Sequence, residues 1–168
     1  MIIMRQVEIV EHVSIEYNEY VPLTVIWRNA SEVLESPVYV VWRDENGYLE
    51  LTFHPSTGIL IEVVLAAAPG LTVEQMSLSP TSSEDASLMP FLDSSGITLE
   101  TGSPIVIKAY LDYLYVSFCP DADRWAGSGP VLFGLAGEQD LAAVCARWTG
   151  SERESVLAGQ WGQDAPSQ

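Results

Sequence analysis

The chain has 168 residues, 48% hydrophobic and 18% charged, which is enough apolar content to fold as one domain without a disulfide or a metal. Its 23 Asp and Glu residues outnumber 7 Lys and Arg residues, so the formal net charge is −16. This charge argues against binding to DNA, RNA or an anionic membrane surface, since each of these attracts Lys and Arg. It favours a cationic partner or, alternatively, serves solubility alone.

Nothing in the sequence predicts export or membrane insertion. The start, MIIMRQVEIVEHV, lacks a continuous apolar segment, and the longest apolar run, ILIEVVLAAA, is interrupted by Glu62. Cys119 and Cys145 lie in apolar contexts, which is typical of buried, reduced thiols. We therefore expect a cytoplasmic protein.

The first part of the chain has the two-residue periodicity of β-strands. Strands are predicted over an N-terminal region up to about residue 17, and over 22–28, 38–43, 48–54 and 59–66. Asn46-Gly47 favours a hairpin turn with positive φ between the third and fourth segments. The run 59–66, ILIEVVLA, is apolar on both faces, as a central strand is. The last three segments therefore predict an antiparallel meander.

The segment HPSTG (54–58) joins two of these strands and is predicted to be a turn. Pro55 presets φ, and Gly58 takes the left-handed conformation that closes such a turn. A phosphate-binding loop is disfavoured, because Pro55 has no N–H and no lysine or helix follows.

Two segments of similar pattern indicate a weak internal repeat. SPVYVVWRDENGYLELTFHP (36–55) aligns with SPIVIKAYLDYLYVSFCP (103–120) when two turn residues are omitted from the second. The matched inner-face residues are Leu49 with Leu114, Leu51 with Val116, and Phe53 with Phe118. Chance similarity between strands of like pattern is the alternative. Two such hairpins predict the two halves of one sheet or sandwich.

The remaining segments contain the predicted helices. The segment from Thr72 to Gln75 has capping-box spacing for a short helix near 72–77, followed by a loop over 78–96. DLAAVCARW (140–148) fits either a helix or the second strand of a hairpin, and the hairpin is slightly favoured. The segment from Ser151 to Glu154 again has capping-box spacing and predicts a short helix over 151–158, before a frayed tail at 160–168.

These elements predict a single, mainly β domain over 1–168. It would be an antiparallel sheet or sandwich built from hairpins and meanders, with one or two short helices.

No motif for catalysis, a metal or a cofactor is found in the sequence. The two histidines and two cysteines are not paired at zinc-ligand spacings, and Asp121-Ala122-Asp123 lacks the later oxygen ligands of a calcium loop. Cys119 precedes Pro120 rather than a helix, and no nucleophile elbow occurs. We predict no catalytic residue. A hydrolase that uses a pair of carboxylates is the alternative left open.

Two groups of residues are candidates for contact with a protein partner. One is an acidic run in the N-terminal strand region, which would present carboxylates at a sheet edge or would merely be a solvated strand face: Glu8, Glu11, Glu16 and Glu19. The other lies in the loop DADRWAGSGP (121–130): Asp121, Asp123, Arg124 and Trp125. Trp and Arg are frequent at binding hot spots, and the alternative for Trp125 is that it folds back over the sheet edge.

In strand-turn-strand rhythm, acidity and lack of catalytic motifs, the chain resembles the small bacterial immunity proteins encoded beside polymorphic or contact-dependent toxins. The resemblance is carried by YLELTFHPSTGILIEVVL (48–65) and VLFGLAGEQDLAAVCARWTGSE (131–152). It is one of overall character and assigns no site residue, because that class comprises unrelated folds. It implies a non-catalytic inhibitor whose carboxylates mask the cationic surface of a toxin. A small-molecule-binding β domain with an enclosed apolar pocket is a further alternative.

Overall fold

Two β-sheets packed face to face form the protein. The description comes from a computed structural model. The residues it describes are 2–7, 12–27, 36–78, 80, 88–93, 99–101, 104–119, 122–127 and 129–159. These residues form fourteen strands and one short helix, α1 (Gly150–Leu157). The predicted fold class, mainly β with antiparallel hairpins, is confirmed. Within the described residues no helix is long and apolar enough to cross a lipid bilayer.

The strands divide into a sheet of eight and a sheet of six. In spatial order, six strands of the eight-stranded sheet are β12 (Arg124–Ala126), β13 (Val131–Ala136), β14 (Asp140–Arg147), β11 (Tyr113–Ser117), β10 (Val106–Ala109) and β7 (Thr72–Val73). The other two strands branch from β14: β1 (Ile2–Gln6) pairs with β14, and β8 (Leu88–Leu92) pairs with β1. The six-stranded sheet contains β2 (Val13–Glu16), β3 (Leu23–Trp27), β6 (Leu60–Ala67), β5 (Gly47–Phe53), β4 (Val38–Asp44) and β9 (Leu99–Thr101). Neighbouring strands are antiparallel, except that β7 is parallel to β10 and β9 to β4.

The hairpins β4–β5 and β10–β11 have the same register. Val40 lies opposite Leu51, and Ile107 lies opposite Val116, which are equivalent pairs when 36–55 is aligned with 103–120. Each hairpin has a third antiparallel strand beside it, β6 or β14, and a short parallel strand on its other side. The two sheets are therefore built on one plan, although their strands follow a different order along the chain.

The inner faces of both sheets form one hydrophobic core. The three matched pairs of the aligned hairpins are all buried within it. The Trp42 and Phe118 rings meet across the sheets with centroids 4.2 Å apart, and the Trp27 and Phe133 rings stack at 6.1 Å. Full burial of each such side chain contributes about 1.5–3 kcal/mol relative to exposure.

Asp44 fixes the β4–β5 turn and joins it to the other sheet. Its carboxylate accepts N–H bonds from Asn46 at 2.8 Å and Gly47 at 3.1 Å, and one from Ile105, just before β10, at 3.0 Å. Burial alone would raise the pKa of Asp44, but these backbone bonds outweigh it and the pKa is lowered. The turn is therefore anchored by an ionised carboxylate.

The segment HPSTG is a turn, as predicted. Gly58 has φ of 74°, and its N–H donates to the carbonyl of His54 at 2.9 Å. The imidazole belongs to the turn as well, because His54 Nδ1 accepts N–H bonds from Ser56 at 3.1 Å and Thr57 at 3.3 Å. The predicted hairpin at the C-terminal end is also confirmed, since 140–147 is the strand β14.

Two predictions about the middle of the chain are wrong. The predicted helix near 72–77 is absent, because Thr72 and Val73 pair with the open edge of β10 and the N–H of Glu74 donates to Ala109. The predicted loop over 78–96 contains β8, whose Pro90 suggested a loop. Proline is tolerated there because β8 is paired along its length only with β1 among the described strands, with a single bridge from Phe91 to Ile59 on its other side. The other parts of that loop at 79, 81–87 and 94–96, and the predicted tail at 160–168, lie outside the described residues.

Two further predictions need smaller corrections. The N-terminal strand region consists of two strands, β1 and β2, which belong to different sheets. Helix α1 is present, but its N-cap is Thr149 rather than Ser151, and the capping box is completed by Glu152. Cys145 is buried as expected, whereas Cys119 is half-buried, and both thiols are free.

The turn glycine Gly47 offers a test of the packing between the sheets. It lacks the positive φ predicted for an Asn-Gly turn; instead, a Cβ there would lie 2.7 Å from Ile107 Cδ1 and 2.9 Å from the Ala67 carbonyl oxygen. We expect Gly47→Ala to lower the free energy of unfolding by about 1–3 kcal/mol in urea denaturation, as overpacking does. Gly150→Ala is the control, since a Cβ at Gly150 meets nothing within 4 Å. Equal stability of the two variants would contradict this account.

Candidate functional site: an acidic sheet face

The outer face of the six-stranded sheet carries three carboxylates that the register brings together. Glu50 on β5 and Glu16 on β2 lie in one row across the sheet, with Val64 and Thr24 between them. Three inter-strand spacings separate the two acids, about 14 Å. Glu62 on β6 belongs to the adjacent row. We call the surface formed by Glu16, Glu50, Glu62 and the side chains between them the acidic face.

Burial weakens the solvation of Glu62. It is half-buried, and no described hydrogen bond or ion pair satisfies its carboxylate. Burial raises the pKa of Glu62, and the negative charge of Glu50 raises it further. Among the side chains that the structure describes, the other titratable groups placed on this face by the register are Glu16, Tyr39, Arg43 and Tyr48.

Arg43 is the basic residue on the described part of this face, and it lies at one end. Its guanidinium is 6.0 Å from the centroid of the Tyr48 ring, while the Tyr48 hydroxyl lies 3.5 Å from Glu50 Oε2. A surface pocket of about 330 Å³ at this end is lined by Arg43 and Tyr48 together with turn residues. Among the described residues of these strands, the ones opposite Glu62 are Ile26 and Thr52, so no Lys or Arg lies directly beside it.

Thr52 lies directly opposite Glu62 on the neighbouring strand. Among the described residues, two polar side chains are buried, Thr52 at 3% exposure and Ser117 at 7%. They occupy equivalent positions of the two aligned hairpins, Thr52 opposite Tyr39 and Ser117 opposite Val106. The shared position makes their surroundings directly comparable.

The two hydroxyl groups differ in their hydrogen bonds. Ser117 Oγ donates to the carbonyl of Cys119 at 3.1 Å. The equivalent carbonyl, that of His54, instead accepts the N–H of Gly58 within the HPSTG turn at 2.9 Å. Thr52 Oγ1 is enclosed and has no hydrogen-bond partner among the described residues. A buried hydroxyl in this state is unfavourable by about 1–3 kcal/mol.

The predicted N-terminal acids are only partly brought together. Glu16 is exposed on the acidic face, whereas Glu8 and Glu11 lie outside the described residues. Glu19 follows β2 in an exposed bend, where it is hydrogen-bonded to Tyr20 and raises the pKa of that phenol. Of the predicted acidic run, Glu16 therefore lies on a strand, β2, at the edge of the sheet.

The predicted loop candidates lie on the other sheet and make contacts within the chain. Arg124 donates to the backbone carbonyls of Gly137 and Glu138 in the β13–β14 turn, and its Nε lies 3.8 Å from Asp123. Trp125 lies edge-on to Tyr115, with ring centroids 6.1 Å apart. Trp125 thus folds back over the sheet, the alternative considered from the sequence. Asp121 lies outside the described residues.

The outer face of the eight-stranded sheet is chemically different from the acidic face. Its small cluster of Tyr113, Leu132 and Cys145 is buried, with Tyr115 and Trp125 packed against it. Burial raises the pKa of the Cys145 thiol, with a smaller contribution from Asp112. This keeps the thiol protonated and unreactive. Among the described residues, no group of His, Cys, Asp and Glu side chains is arranged to hold a metal ion.

Sequence reasoning missed Glu50, Thr52 and Glu62 as a group. Alternation placed Glu50 and Thr52 on the polar side of their strand, and Glu62 was a single acid in an apolar run. Which residues stand opposite one another depends on register, and β5 and β6 shift register between Thr52 and Phe53. The signal available in the sequence was the isolated acid in ILIEVVLA.

No protein-family model matches this chain, and the curated proteins compared with it contain no match. The assignment of function therefore depends on the described residues themselves.

The unpartnered hydroxyl of Thr52 makes a direct test of stability possible. We expect Thr52→Val, which keeps the shape of the side chain, to raise the free energy of unfolding by about 1 kcal/mol in urea. Ser117→Ala is the matched control at the equivalent position, and it should lower stability by about 1 kcal/mol because it removes a satisfied bond. A loss of stability in Thr52→Val would show that the hydroxyl has a partner in the free protein.

Glu62 should make stability depend on pH. Its pKa in the folded protein is raised above the ordinary value of 4.5, so folding disfavours its charged form. Below the ordinary pKa both states are protonated and there is no penalty; above the raised folded pKa the penalty is complete. Glu62→Gln should therefore stabilise the protein at pH 7 and lose this advantage below about pH 4 in urea denaturation.

The control for this pH dependence is Glu138→Gln, in the exposed β13–β14 turn. It removes the same charge without removing a buried carboxylate. An equal gain from both substitutions at both pH values would attribute the effect to net charge alone.

Proposed function

We propose that this protein is a non-catalytic binding protein that uses the acidic face to bind a basic protein partner, as an immunity-type inhibitor binds its toxin. The observation that carries the proposal is the group Glu16, Glu50 and Glu62 on one sheet face, with the central carboxylate, Glu62, unpaired among the described residues. A net charge of −16 favours such a partner at long range.

Four of the described arginines support this proposal by the contacts they make. Guanidinium groups lie over aromatic rings at 5.4–6.0 Å in Arg5, Arg43 and Arg147. Arg153 donates to the carbonyls of Tyr110 and Glu74, each at 3.1 Å. These side chains hold loops and strands in place rather than neutralising the acidic face. A complementary cation from another protein would meet unpaired carboxylates there.

A small-molecule-binding domain is the second candidate, favoured by the pocket of about 330 Å³ beside Arg43 and Tyr48. Its volume falls in the usual range for small ligands, and Arg43 would select an anionic group. Three tryptophans that could line an apolar pocket, Trp27, Trp42 and Trp148, are instead buried in the core. For this reason we place the protein partner first.

Capture of the partner tests the proposal. A tagged protein is incubated with host lysate at low and high salt, and the bound proteins are identified and quantified. We expect a stoichiometric basic protein at low salt that is released as salt rises, since screening weakens exposed charge pairs. The triple variant Glu16→Gln, Glu50→Gln, Glu62→Gln should lose it.

The control variant removes three exposed charges elsewhere: Glu138→Gln, Asp140→Asn and Glu154→Gln. It has the same net charge as the triple variant and should keep the partner. Equal loss in both variants would attribute binding to net charge, and retention by the acidic-face variant would contradict the proposal.

A further inference from the structure

Within the acidic face, Glu50, Thr52 and Glu62 lie close to one another. Thr52 and Glu62 are directly opposite on adjacent strands, which places their Cβ atoms about 4.5–5.5 Å apart. Glu50 is two residues before Thr52 on the same strand and the same side of the sheet, about 7 Å along the strand. Three side chains with oxygen acceptors are thus concentrated in one small area.

Both Thr52 and Glu62 are unfavourable in the free protein. The Thr52 hydroxyl is enclosed without a partner, and the Glu62 carboxylate is half-buried beside a like charge. The equivalent positions of the other hairpin show that the fold does not require this arrangement. There the hydroxyl of Ser117 is satisfied, and the residue opposite it is Ala143. The same plan in the eight-stranded sheet thus has neither unfavourable group.

We propose that Glu50, Thr52 and Glu62 form a recognition site for the ammonium group of one lysine side chain of the basic partner. This inference depends on the function proposed above and specifies its central contact. An ammonium ion has three N–H donors arranged tetrahedrally, which match two carboxylates and one hydroxyl. It removes the repulsion between the carboxylates and supplies the missing partner of Thr52 Oγ1.

Lysine fits this site better than arginine does. The guanidinium group is planar and bonds best to one carboxylate through two parallel bonds, whereas the ammonium group is a compact point charge. The acceptors here come from three side chains on two strands, and one of them is the recessed Thr52 hydroxyl. Thr52 Oγ1 is enclosed in the free protein, so this contact requires the side chains around it to move aside on binding. A compact ammonium group requires a smaller movement than a wide planar guanidinium group.

The test uses a single blocked amino acid as the probe, N-acetyl-lysine methylamide, with the arginine and norleucine derivatives for comparison. Amide chemical shifts of the isotope-labelled protein are followed by NMR as each probe is added. We expect saturable shifts at residues 50–52 and 62 with the lysine probe, weaker ones with arginine and none with norleucine. Equal shifts from lysine and arginine, or shifts spread over acids such as Glu138, would overturn the proposal.

Two substitutions at Thr52 separate recognition from structure. Thr52→Val should weaken lysine binding about tenfold, because it removes one bond to a charged donor. Thr52→Ser keeps the hydroxyl and should restore binding to within about threefold, a rescue that a purely structural role would not give. Glu138→Gln should bind as the unmodified protein does. Unchanged binding in Thr52→Val would overturn the proposal.

The capture experiment distinguishes failure of this site from failure of the proposed function. Loss of the partner in the acidic-face variant, with weakened capture by Thr52→Val, supports both. Loss in the acidic-face variant with full capture by Thr52→Val overturns the lysine site and leaves the function standing. Full capture by the acidic-face variant overturns the function, and the lysine site as the partner's anchor with it.

Discussion

The contact between Trp42 and Phe118, 4.2 Å between ring centroids, joins the two hairpins on which both sheets are built. Each ring projects from an inner face, so the contact fixes which face of each hairpin is buried. Because side chains alternate along a strand, it also fixes which residues face outwards. Leu49, Leu51 and Phe53 point into the core, and Glu50 and Thr52 must therefore point away from it. The acidic face is a consequence of this packing.

The two outer faces then differ because the residues left outside differ. On the eight-stranded sheet the outer positions hold Tyr113, Tyr115 and Cys145, which pack against one another and against Leu132. The equivalent positions of the six-stranded sheet hold Tyr48, Glu50 and Val64, so a carboxylate replaces the central tyrosine. In the adjacent row Thr52 and Glu62 replace Ser117 and Ala143. One face thus satisfies its own side chains, while the other leaves polar groups that require solvent or a partner. This contrast between equivalent positions is what singles out the acidic face.

The sequence predicted the type of most elements because alternation is a local property. The meander of β4, β5 and β6, the HPSTG turn and the hairpin ending in β14 all follow from short patterns. The helix expected near 72–77 failed because the open edge of β10 lies more than thirty residues away and offered Thr72 and Val73 backbone partners. Glu62 shows the same limit, since only the register of β6 against β5 reveals that Thr52 and Glu50 are its neighbours. Long-range pairing decided both cases.

Charge acts at two distances in the proposed complex. The net charge of −16 attracts a basic protein over about a Debye length, roughly 8–10 Å at physiological salt, and mainly raises the rate of association. It does not choose among basic proteins. A hydroxyl between two carboxylates is selective, because only a small cation at that position bonds to all three groups. This contact would mainly slow dissociation. The enclosed Thr52 hydroxyl and the half-buried Glu62 carboxylate are expected to lower the stability of the free protein, and a lysine that bonds to both would recover that free energy. Two groups that are unfavourable in the isolated fold would therefore contribute favourably to the proposed interface.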